Sequence, residues 1–382
     1  MAEVYEFFAG GGMVRAGLDP DWTCRFANDI DAKKAAAYRA NWGNDALHLG
    51  DVADITPHQL PGQADLAWAS FPCQDLSLAG AGRGLAGHRS GAFHGFWRVI
   101  EGLAADNRAP AIVAIENVCG TLTSRGGADF AVLMRTLSEG GYRPGALVID
   151  AERFLPQSRP RLFVIGAHDR VALRDRLHSP DPQGPFHPPA VIRAVHALPP
   201  DVAARTLWWT LPEPPPRTLT LTDLIEPDGP DTPWHTPDQT ARLLSQMSPL
   251  NLQKLAAARR NGTLTHGTAY RRTRQENGHR IQRAEVRFDG IAGCLRTPGG
   301  GSSRQIVLEV TGDRLRSRLM SPRETARLMG LPDRYRLPTG QGDALHLTGD
   351  GVVVPVVRHL ARHLFKPILG SVRPSAPAPY SA

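Results

Sequence analysis

The 382-residue sequence has few cysteines, no basic leader and no long apolar run. Its four cysteines are scattered and form no C-x-x-C pair, which argues against a zinc site and a disulfide framework and suits a reducing cytoplasm. The start, "MAEVYEFFAGGG", does not resemble a signal peptide, and we expect no membrane span. Hydrophobic residues make up 41% and charged residues 21% of the chain, which is typical of a globular protein.

Positive charge is concentrated in one part of the chain. Residues 242–336 contain 19 Lys and Arg against seven Asp and Glu, a net charge of +12, whereas the other residues sum to −5. An arginine-rich solvated surface would explain this excess. A surface that binds a polyanion such as nucleic acid would explain it equally well.

The first part of the chain alternates strand and helix patterns. Strands are predicted at "AEVYEFFAG", "WTCRFAND", "ADLAWASFP" and "AIVAIENV", and helices follow the first two. This alternation predicts a parallel sheet covered on both faces, with ligands bound at the carboxyl ends of its strands. Residues 180–237 hold 15 of the 33 prolines and should be irregular. One helix is predicted to begin at Thr240 and run through "MSPLNLQKL", and another is predicted at "SPRETARLMGL".

The segment "FFAGGG" places three glycines directly after a strand. Such a turn allows the backbone to approach a ligand closely. Asp29 ends the second strand about twenty residues on, where a carboxylate can hold a ribose diol. An ordinary tight turn with a solvated carboxylate is the competing interpretation. The pair indicates a nucleoside-containing cofactor without choosing among such cofactors.

Two further strand ends carry chemically suggestive side chains. Cys73 lies in "FPCQDLSLAG", and the polar, glycine-rich loop after it suits a nucleophile better than a buried thiol. Glu116 ends the strand "AIVAIENV", where a carboxylate needs an ion pair or partial protonation. Arg159 and Arg161 in "QSRPR" alternate at the start of another strand, so they are expected to share one face.

These blocks occur in a diagnostic order. The set "FFAGGG", "ANDID", "GDV", "FPCQDLSLAG", "ENV", "QSRPR", "RETARLMGLPDRY" and "GDGVVVPVV" resembles the DNA (cytosine-5) methyltransferases across about residues 4–366. "PCQ", "ENV" and "QxRxR" in that order are specific to the family, whereas "FAGGG" alone is not. The resemblance implies a mixed, mostly parallel Rossmann-like α/β sheet with helices on both faces, plus a smaller target-recognition domain.

The resemblance also implies roles for individual residues. Cys73 is the expected nucleophile, Glu116 the group that binds and protonates the cytosine ring, Arg161 a contact to the base carbonyl, and Arg159 its support. S-adenosylmethionine (SAM), with S-adenosylhomocysteine as product and no metal, is the expected cofactor. Its expected contacts are Phe8, Ala9, Gly10, Gly12, Asp29, Ile30, Asp51, Val52, Pro72 and Gly351. Expected DNA contacts are Gln74, Ser77, Arg296, Gly299, Gly300 and Arg304.

Two positions depart from the family pattern. Asp350 stands in the last block where the family usually has Asn, which puts cofactor affinity in doubt. Ile30 replaces the aromatic residue that often follows the acid and would make a plainer contact with the adenine.

The resemblance predicts a catalytic and cofactor-binding domain at 1–185 and 343–370, a target-recognition domain at 186–342 and a disordered tail at 371–382. We expect a cytoplasmic monomer that acts on double-stranded DNA, without a membrane, with or without a separate cognate restriction endonuclease.

Three other classes of protein compete with this interpretation. A methyltransferase that acts on cytosine in RNA stays open, although the large basic region favours DNA. A catalytically dead DNA-binding module is disfavoured because Cys73, Glu116 and Arg161 are all present. A nicotinamide dehydrogenase would leave "FPCQ" and "QSRPR" without a role.

Overall fold

The computed structural model describes residues 1–71, 91–230, 232–276, 278–297 and 304–370. The chain divides into two compact units. The larger unit comprises Met1–Ile149, Pro160–Pro214 and the residues from Pro355 onward, and the smaller comprises Asp150–Arg159 and Pro215–Val354. This division assigns 186–214 to the larger unit and 343–354 to the smaller, so it differs in detail from the functional domains expected from the sequence, which stay a prediction.

A seven-stranded sheet forms the centre of the larger unit. Its spatial order is β3-β2-β1-β4-β5-β7-β6. Pairing is parallel from β3 through β5, and β7 is antiparallel to β5. The prediction of a mixed, mostly parallel sheet is therefore confirmed. The strands are β1 (Ala2–Phe7), β2 (Trp22–Asp29), β3 (Leu47–Leu49), β4 (Leu66–Ala69), β5 (Ile112–Val118), β6 (Tyr142–Asp150) and β7 (Pro160–His168).

Apolar side chains cover both faces of this sheet. On one face, alternate residues of β1 and β4, such as Phe7 and Ala67, join a core with helix residues such as Phe96. On the other face, Trp68 packs edge-on against Phe365, with ring centroids 6.2 Å apart. The helices of this unit are α1 (Met13–Leu18), α2 (Ala32–Trp42), α3 (Gly91–Ala105), α4 (Ala128–Glu139), α5 (Pro189–His196), α6 (Pro200–Ala203), α12 (Val354–Leu360) and α13 (Lys366–Leu369).

The proline-rich stretch after β7 is largely irregular, as predicted. It contains a small two-stranded sheet, β8 (His178–Ser179) and β9 (Trp208–Trp209), as well as α5 and α6. Among the helices in the described ranges, none has both the length and the apolar character needed to cross a membrane.

A four-stranded antiparallel sheet forms the centre of the smaller unit, in the order β11-β10-β12-β13. Residues 263–320 were not predicted to form strands. The strands are β10 (Thr265–Glu276), β11 (His279–Arg287), β12 (Gln305–Thr311) and β13 (Arg314–Leu319). The helices are α7 (Leu221–Leu224), α8 (Pro237–Ser245), α9 (Pro249–Arg260), α10 (Pro322–Leu328) and α11 (Gln341–Asp350).

The prediction of one continuous helix from Thr240 is wrong, because the segment forms two helices, α8 and α9. Pro249 cannot donate a backbone hydrogen bond, and it occupies the first turn of α9. Ser248 caps this new start by accepting a hydrogen bond from the Asn251 amide. The Ser-Pro pair therefore ends one helix and begins the next.

The predicted start of α10 is confirmed, and it contains a buried ion pair. The side chains of Ser321 and Glu324 form a reciprocal capping box. Glu324 also accepts two hydrogen bonds from the Arg318 guanidinium, at 2.8 and 2.5 Å. Both side chains are almost fully buried. A third donor, the Glu226 amide, lies 2.9 Å from the same carboxylate.

We expect Glu324→Gln to destabilise the protein by about 3–5 kcal/mol, because the buried Arg318 charge loses its counter-charge. The measurement is the free energy of unfolding in urea. Asp333→Asn is the matched control, since Asp333 pairs with Arg327 at 2.8 Å but is 62% exposed, and should cost at most about 1 kcal/mol. Equal losses of unfolding free energy for the two variants would show that the buried ion pair stabilises the protein no more than the exposed one.

Candidate cofactor site and catalytic pair

The glycine turn that follows β1 adopts an uncommon backbone conformation. Phe8, Gly10 and Gly12 have φ angles of 58°, 55° and 77°, all in the left-handed region. The Gly10 amide donates a 2.7 Å hydrogen bond to Asp29 Oδ2, and the Ala9 amide donates to the Asn28 carbonyl at 2.9 Å. The turn is therefore held against the carboxyl end of β2. Among the described residues, none has an atom within 4 Å of a Cβ built on Gly10, so this part of the structure leaves space beside the turn.

Trp42, the last residue of α2, packs against this turn and was not identified from the sequence. Its indole N–H donates to the Gly11 carbonyl at 3.1 Å. A Cβ built on Gly12 would lie 2.4 Å from the indole nitrogen, so close packing as well as the φ angle requires glycine there. The Arg15 guanidinium lies 5.2 Å from the Trp42 ring centroid, within cation–π range. The sequence pattern that could have identified Trp42 is a bulky aromatic residue directly before Gly43, where the helix ends.

Asp29 lies at the end of β2 and is only 7% exposed. Its two carboxylate oxygens accept hydrogen bonds from the Gly10 and Asp31 amides, at 2.7 and 2.8 Å. Burial raises the pKa of Asp29 above its ordinary value, while these amides oppose the rise. Each oxygen keeps a second lone pair, so the carboxylate can still accept a hydrogen bond from a sugar hydroxyl.

Apolar side chains are exposed beside this carboxylate. Ile30 is 66% exposed, and Leu49, which the sequence analysis did not identify, is 41% exposed. Leu49 is paired with Asp29 in the register of β2 and β3. Asp51 caps a short turn by accepting from the Ala53 amide, whereas the Val52 side chain is buried. The strand ends thus combine a polar acceptor with exposed apolar side chains.

Glu116 and Arg161 form an ion pair in the larger unit. Their strands, β5 and β7, are antiparallel, and the register places the two residues diagonally on one face. Arg161 Nε lies 3.2 Å from Glu116 Oε1. The Glu116 side chain is 8% exposed and that of Arg161 16%, so the pair is sheltered yet reachable. The structure therefore brings together two of the residues expected to contact the base.

Arg159 makes a different set of contacts. It precedes β7 and belongs to the smaller unit, where it is 2% exposed. Its guanidinium donates to the carbonyls of Leu295, Gly349 and Gly351, each at 2.8 Å. Through these contacts Arg159 links the backbone at Leu295 to the backbone at Gly349 and Gly351. Its catalytic assignment stays a prediction.

The other expected site residues fall into two groups. In the smaller unit, Gly351 accepts from Arg159, the Asp350 carboxylate accepts from the Thr297 hydroxyl, and Arg296 and Arg304 flank the segment 298–303. Six expected site residues lie outside the described residues: Pro72, Cys73, Gln74, Ser77, Gly299 and Gly300.

Glu6 is a buried titratable residue that the sequence analysis did not identify. It lies on β1, two residues before Phe8, and its side chain is fully buried. Within the described part of the chain, neither of its oxygens has a hydrogen bond of good geometry. Burial raises the pKa of Glu6 to about 8, and the Arg15 charge opposes this only in part. Glu6 is therefore a largely neutral carboxyl group at pH 7.

This pKa predicts a pH-dependent stability. The unfolded state releases the Glu6 proton near pH 4.5, whereas the folded state keeps it to about pH 8. Between these values the unfolded state binds fewer protons, so the contribution of Glu6 to stability falls by about 1.4 kcal/mol per pH unit. We expect Glu6→Gln to raise the free energy of unfolding at pH 7.5 and leave it unchanged at pH 4.5. Urea unfolding at both pH values is the measurement.

Glu3→Gln is the matched control for this prediction. Glu3 lies on the same strand, but its side chain is 32% exposed and forms a 3.6 Å ion pair with Arg25. It should show no comparable pH-dependent gain. A Glu6→Gln protein that tracks the wild type at both pH values would contradict the raised pKa.

Comparisons with known proteins identify the family of the chain. A family model described as C-5 cytosine-specific DNA methylase matches residues 2–366. The chain is 34% identical to type II methyltransferase M.BsuFI of Bacillus subtilis over 172 residues, 44% of this chain and 40% of that enzyme. It is 23% identical to type II methyltransferase M.HpaII of Haemophilus parainfluenzae over 379 residues, 94% of this chain and 88% of that enzyme.

A solved structure shares the fold. The Dnmt2 methyltransferase of S. pombe superposes with a TM-score of 0.60 at 17% identity, covering 96% of this chain and 99% of that one. At this identity the likeness concerns the fold alone. Because the family match spans nearly all of the sequence, including every block that carries the resemblance, the chain belongs to the C-5 cytosine-specific DNA methylase family.

Proposed function

We propose that the chain transfers a methyl group from SAM to carbon 5 of cytosine in a specific duplex DNA sequence. The observation that carries this proposal is the Glu116–Arg161 pair, at 3.2 Å, on the same sheet as the turn held by Asp29 and Trp42. A carboxyl group and a guanidinium side by side match the donor and acceptor pattern of a cytosine edge. The family match supports this assignment.

The ends of β1, β2 and β3 fit SAM. The space that the described residues leave beside Gly10 would receive its amino-acid part, as expected for Phe8, Gly10 and Gly12. The Asp29 carboxylate would accept from the ribose hydroxyls, and the exposed Ile30 side chain would lie against the adenine. Leu49 adds a second apolar contact. SAM bound there would supply the methyl group.

Cys73 would activate the base. Carbon 5 of cytosine is a weak nucleophile, and a thiolate that adds to carbon 6 makes carbon 5 enamine-like. Glu116 would hydrogen-bond the ring nitrogen and offset its developing charge, while Arg161 donates to the carbonyl oxygen. After methylation, carbon 5 loses its proton to solvent, and the returning electron pair expels the Cys73 thiolate. S-adenosylhomocysteine would be the second product, and the Cys73 thiolate would be free for another base.

DNA would be read by the smaller unit. Arg296 and Arg304, with Gly299 and Gly300 between them, would approach the backbone or base edges of the duplex. Gln74 and Ser77 would contact DNA next to the nucleophile. The target base must leave the stack, at a cost of roughly a few kcal/mol.

The names of the type II relatives favour a restriction-modification setting, with a cognate endonuclease as a separate protein. We also propose that the protein is a cytoplasmic monomer.

The first test is methyl transfer from labelled SAM to mixed-sequence duplex DNA, followed by nucleoside mass analysis. Wild-type protein should yield 5-methylcytosine, and Cys73→Ala should yield none while still binding SAM. Cys294→Ser, which also removes one thiol, should keep activity. Turnover by Cys73→Ala would remove the nucleophile assignment. Methylation of an RNA duplex in preference to DNA would overturn the choice of substrate.

Trp42→Phe tests whether the brace under the glycine turn positions SAM. The substitution keeps an aromatic ring but removes the hydrogen bond to Gly11, so we expect the Kd for SAM to rise about 3- to 10-fold. Once SAM is saturating, kcat should be little changed. Calorimetric titration with SAM, together with steady-state kinetics, gives both values.

Trp22→Phe is the matched control for this substitution. Trp22 is buried in the same unit, but its indole N–H has no hydrogen-bond partner among the residues that the structure describes, so the change removes no bond seen there. Equal SAM affinities for the Trp42→Phe and Trp22→Phe proteins would show that the bond to Gly11 does not position the cofactor.

A further inference from the structure

The β10–β11 hairpin presents two faces with different electrostatic character. On one face, Glu285 accepts from Arg272 and Arg274, at 3.3 and 2.8 Å, and Arg283 pairs with Glu276. Three arginines of this face therefore have carboxylate partners. The three guanidiniums share two carboxylates, so most of their positive charge is offset within the hairpin itself.

The opposite face continues the apolar core of the smaller unit. Ala269 of β10 and Ala284 of β11 pack there with Leu243 of α8. Further along the same face, the register places Arg271 opposite Ala284 and Thr273 opposite Gln282. The apolar core therefore ends at Arg271 and Gln282, and the side chains beyond it on this face are polar.

A pocket of about 390 Å³ opens at this point. Three arginines contribute to its wall: Arg242 from α8, Arg271 from β10 and Arg304 just before β12. Among the described residues, none of these three guanidiniums has a carboxylate within ion-pair distance, and the Nε atom of Arg271 is buried without a hydrogen bond. On the other face of the hairpin, by contrast, Arg272, Arg274 and Arg283 each have a carboxylate partner.

The remaining polar groups of the pocket add little negative charge. Gln282 accepts from the Gln246 amide with its side-chain oxygen, which leaves its NH₂ group as a donor. His235 contacts the Ser317 hydroxyl at 2.9 Å. Burial, together with the charge of Arg242, lowers the pKa of Arg271, and burial together with the charge of Arg271 lowers that of His235. The wall is thus a set of positive charges that repel one another.

We propose that this pocket binds a phosphate group of the DNA backbone, a proposal that rests on the proposed function of the chain. Converging like charges are stabilised by an anion, whereas a base edge is neutral and would leave the repulsion in place. A phosphate also accepts from several guanidinium N–H groups at once. Contacts of this kind position a duplex without reading its sequence.

The test compares DNA affinity across salt concentrations for wild type, Arg242→Gln and Arg271→Gln, using fluorescence anisotropy with several duplexes of unrelated sequence. Each substitution should weaken binding about tenfold at low salt, to a similar extent for every duplex. The slope of log affinity against log salt should become shallower by about 1 for each phosphate that the variant no longer neutralises.

Arg283→Gln is the matched control, because it removes the same charge from the same hairpin but from the ion-paired face. It should leave affinity and salt slope near the wild-type values. Thermal unfolding adds a second readout. Arg271→Gln relieves repulsion and should leave the melting temperature unchanged or raise it, so that weaker binding cannot be ascribed to unfolding.

Several results would overturn the proposal. Arg242→Gln and Arg271→Gln proteins that bind like the Arg283→Gln protein would show that the pocket takes no phosphate. A loss confined to one duplex sequence, with an unchanged salt slope, would indicate base reading instead. Tight binding of inorganic pyrophosphate that disappears in Arg271→Gln, with DNA affinity unchanged, would assign the pocket to a free anion. In any of these cases, methyl transfer to DNA by the wild-type protein would leave the proposed function standing. A wild-type protein that does not bind DNA would overturn both the proposed function and the phosphate site.

Discussion

The turn between β1 and α1 is the constraint on which the candidate cofactor site depends. Three of its residues have left-handed φ angles, and one of them, Phe8, is not glycine. Such a backbone persists only where neighbouring groups hold it in place. Asp29 accepts from one side of the turn and Trp42 donates to the other. Because both partners come from β2 and α2, the site forms only when the first two strand–helix units have packed together.

Much of this arrangement could be predicted from the sequence. Parallel strands place their carboxyl ends on one edge, so the glycines, Asp29 and Glu116 could be assigned to that edge from strand patterns alone. Arg161 was assigned correctly to a strand beginning beside them, and the 3.2 Å pair with Glu116 is compatible with its expected use. Whether these side chains act as the family resemblance implies is decided by methyl transfer and SAM binding in the variants.

Other features could not be predicted, for identifiable physical reasons. Arg159 and Arg161 are two residues apart, yet the strand begins between them, and tertiary contacts direct Arg159 to three carbonyls distant in sequence. The antiparallel sheet was missed because its first two strands are rich in arginine instead of the usual β-branched residues. The dipeptide Asn277–Gly278 is the signal in the sequence that favours a hairpin here. The role of Trp42 depends on packing against Gly12, which no local pattern reveals.

The division of the chain into units has a consequence for biosynthesis. The chain passes between the two units four times, and the larger one is completed only by residues after Pro355. Phe365, among these last residues, is fully buried against Trp68 and Trp22. A nascent chain that still lacks this segment exposes the aromatic surface of its central sheet, so the larger unit cannot finish folding during translation until residue 365 has left the ribosome. A chain that stops before residue 365 therefore leaves the aromatic core of the larger unit incomplete.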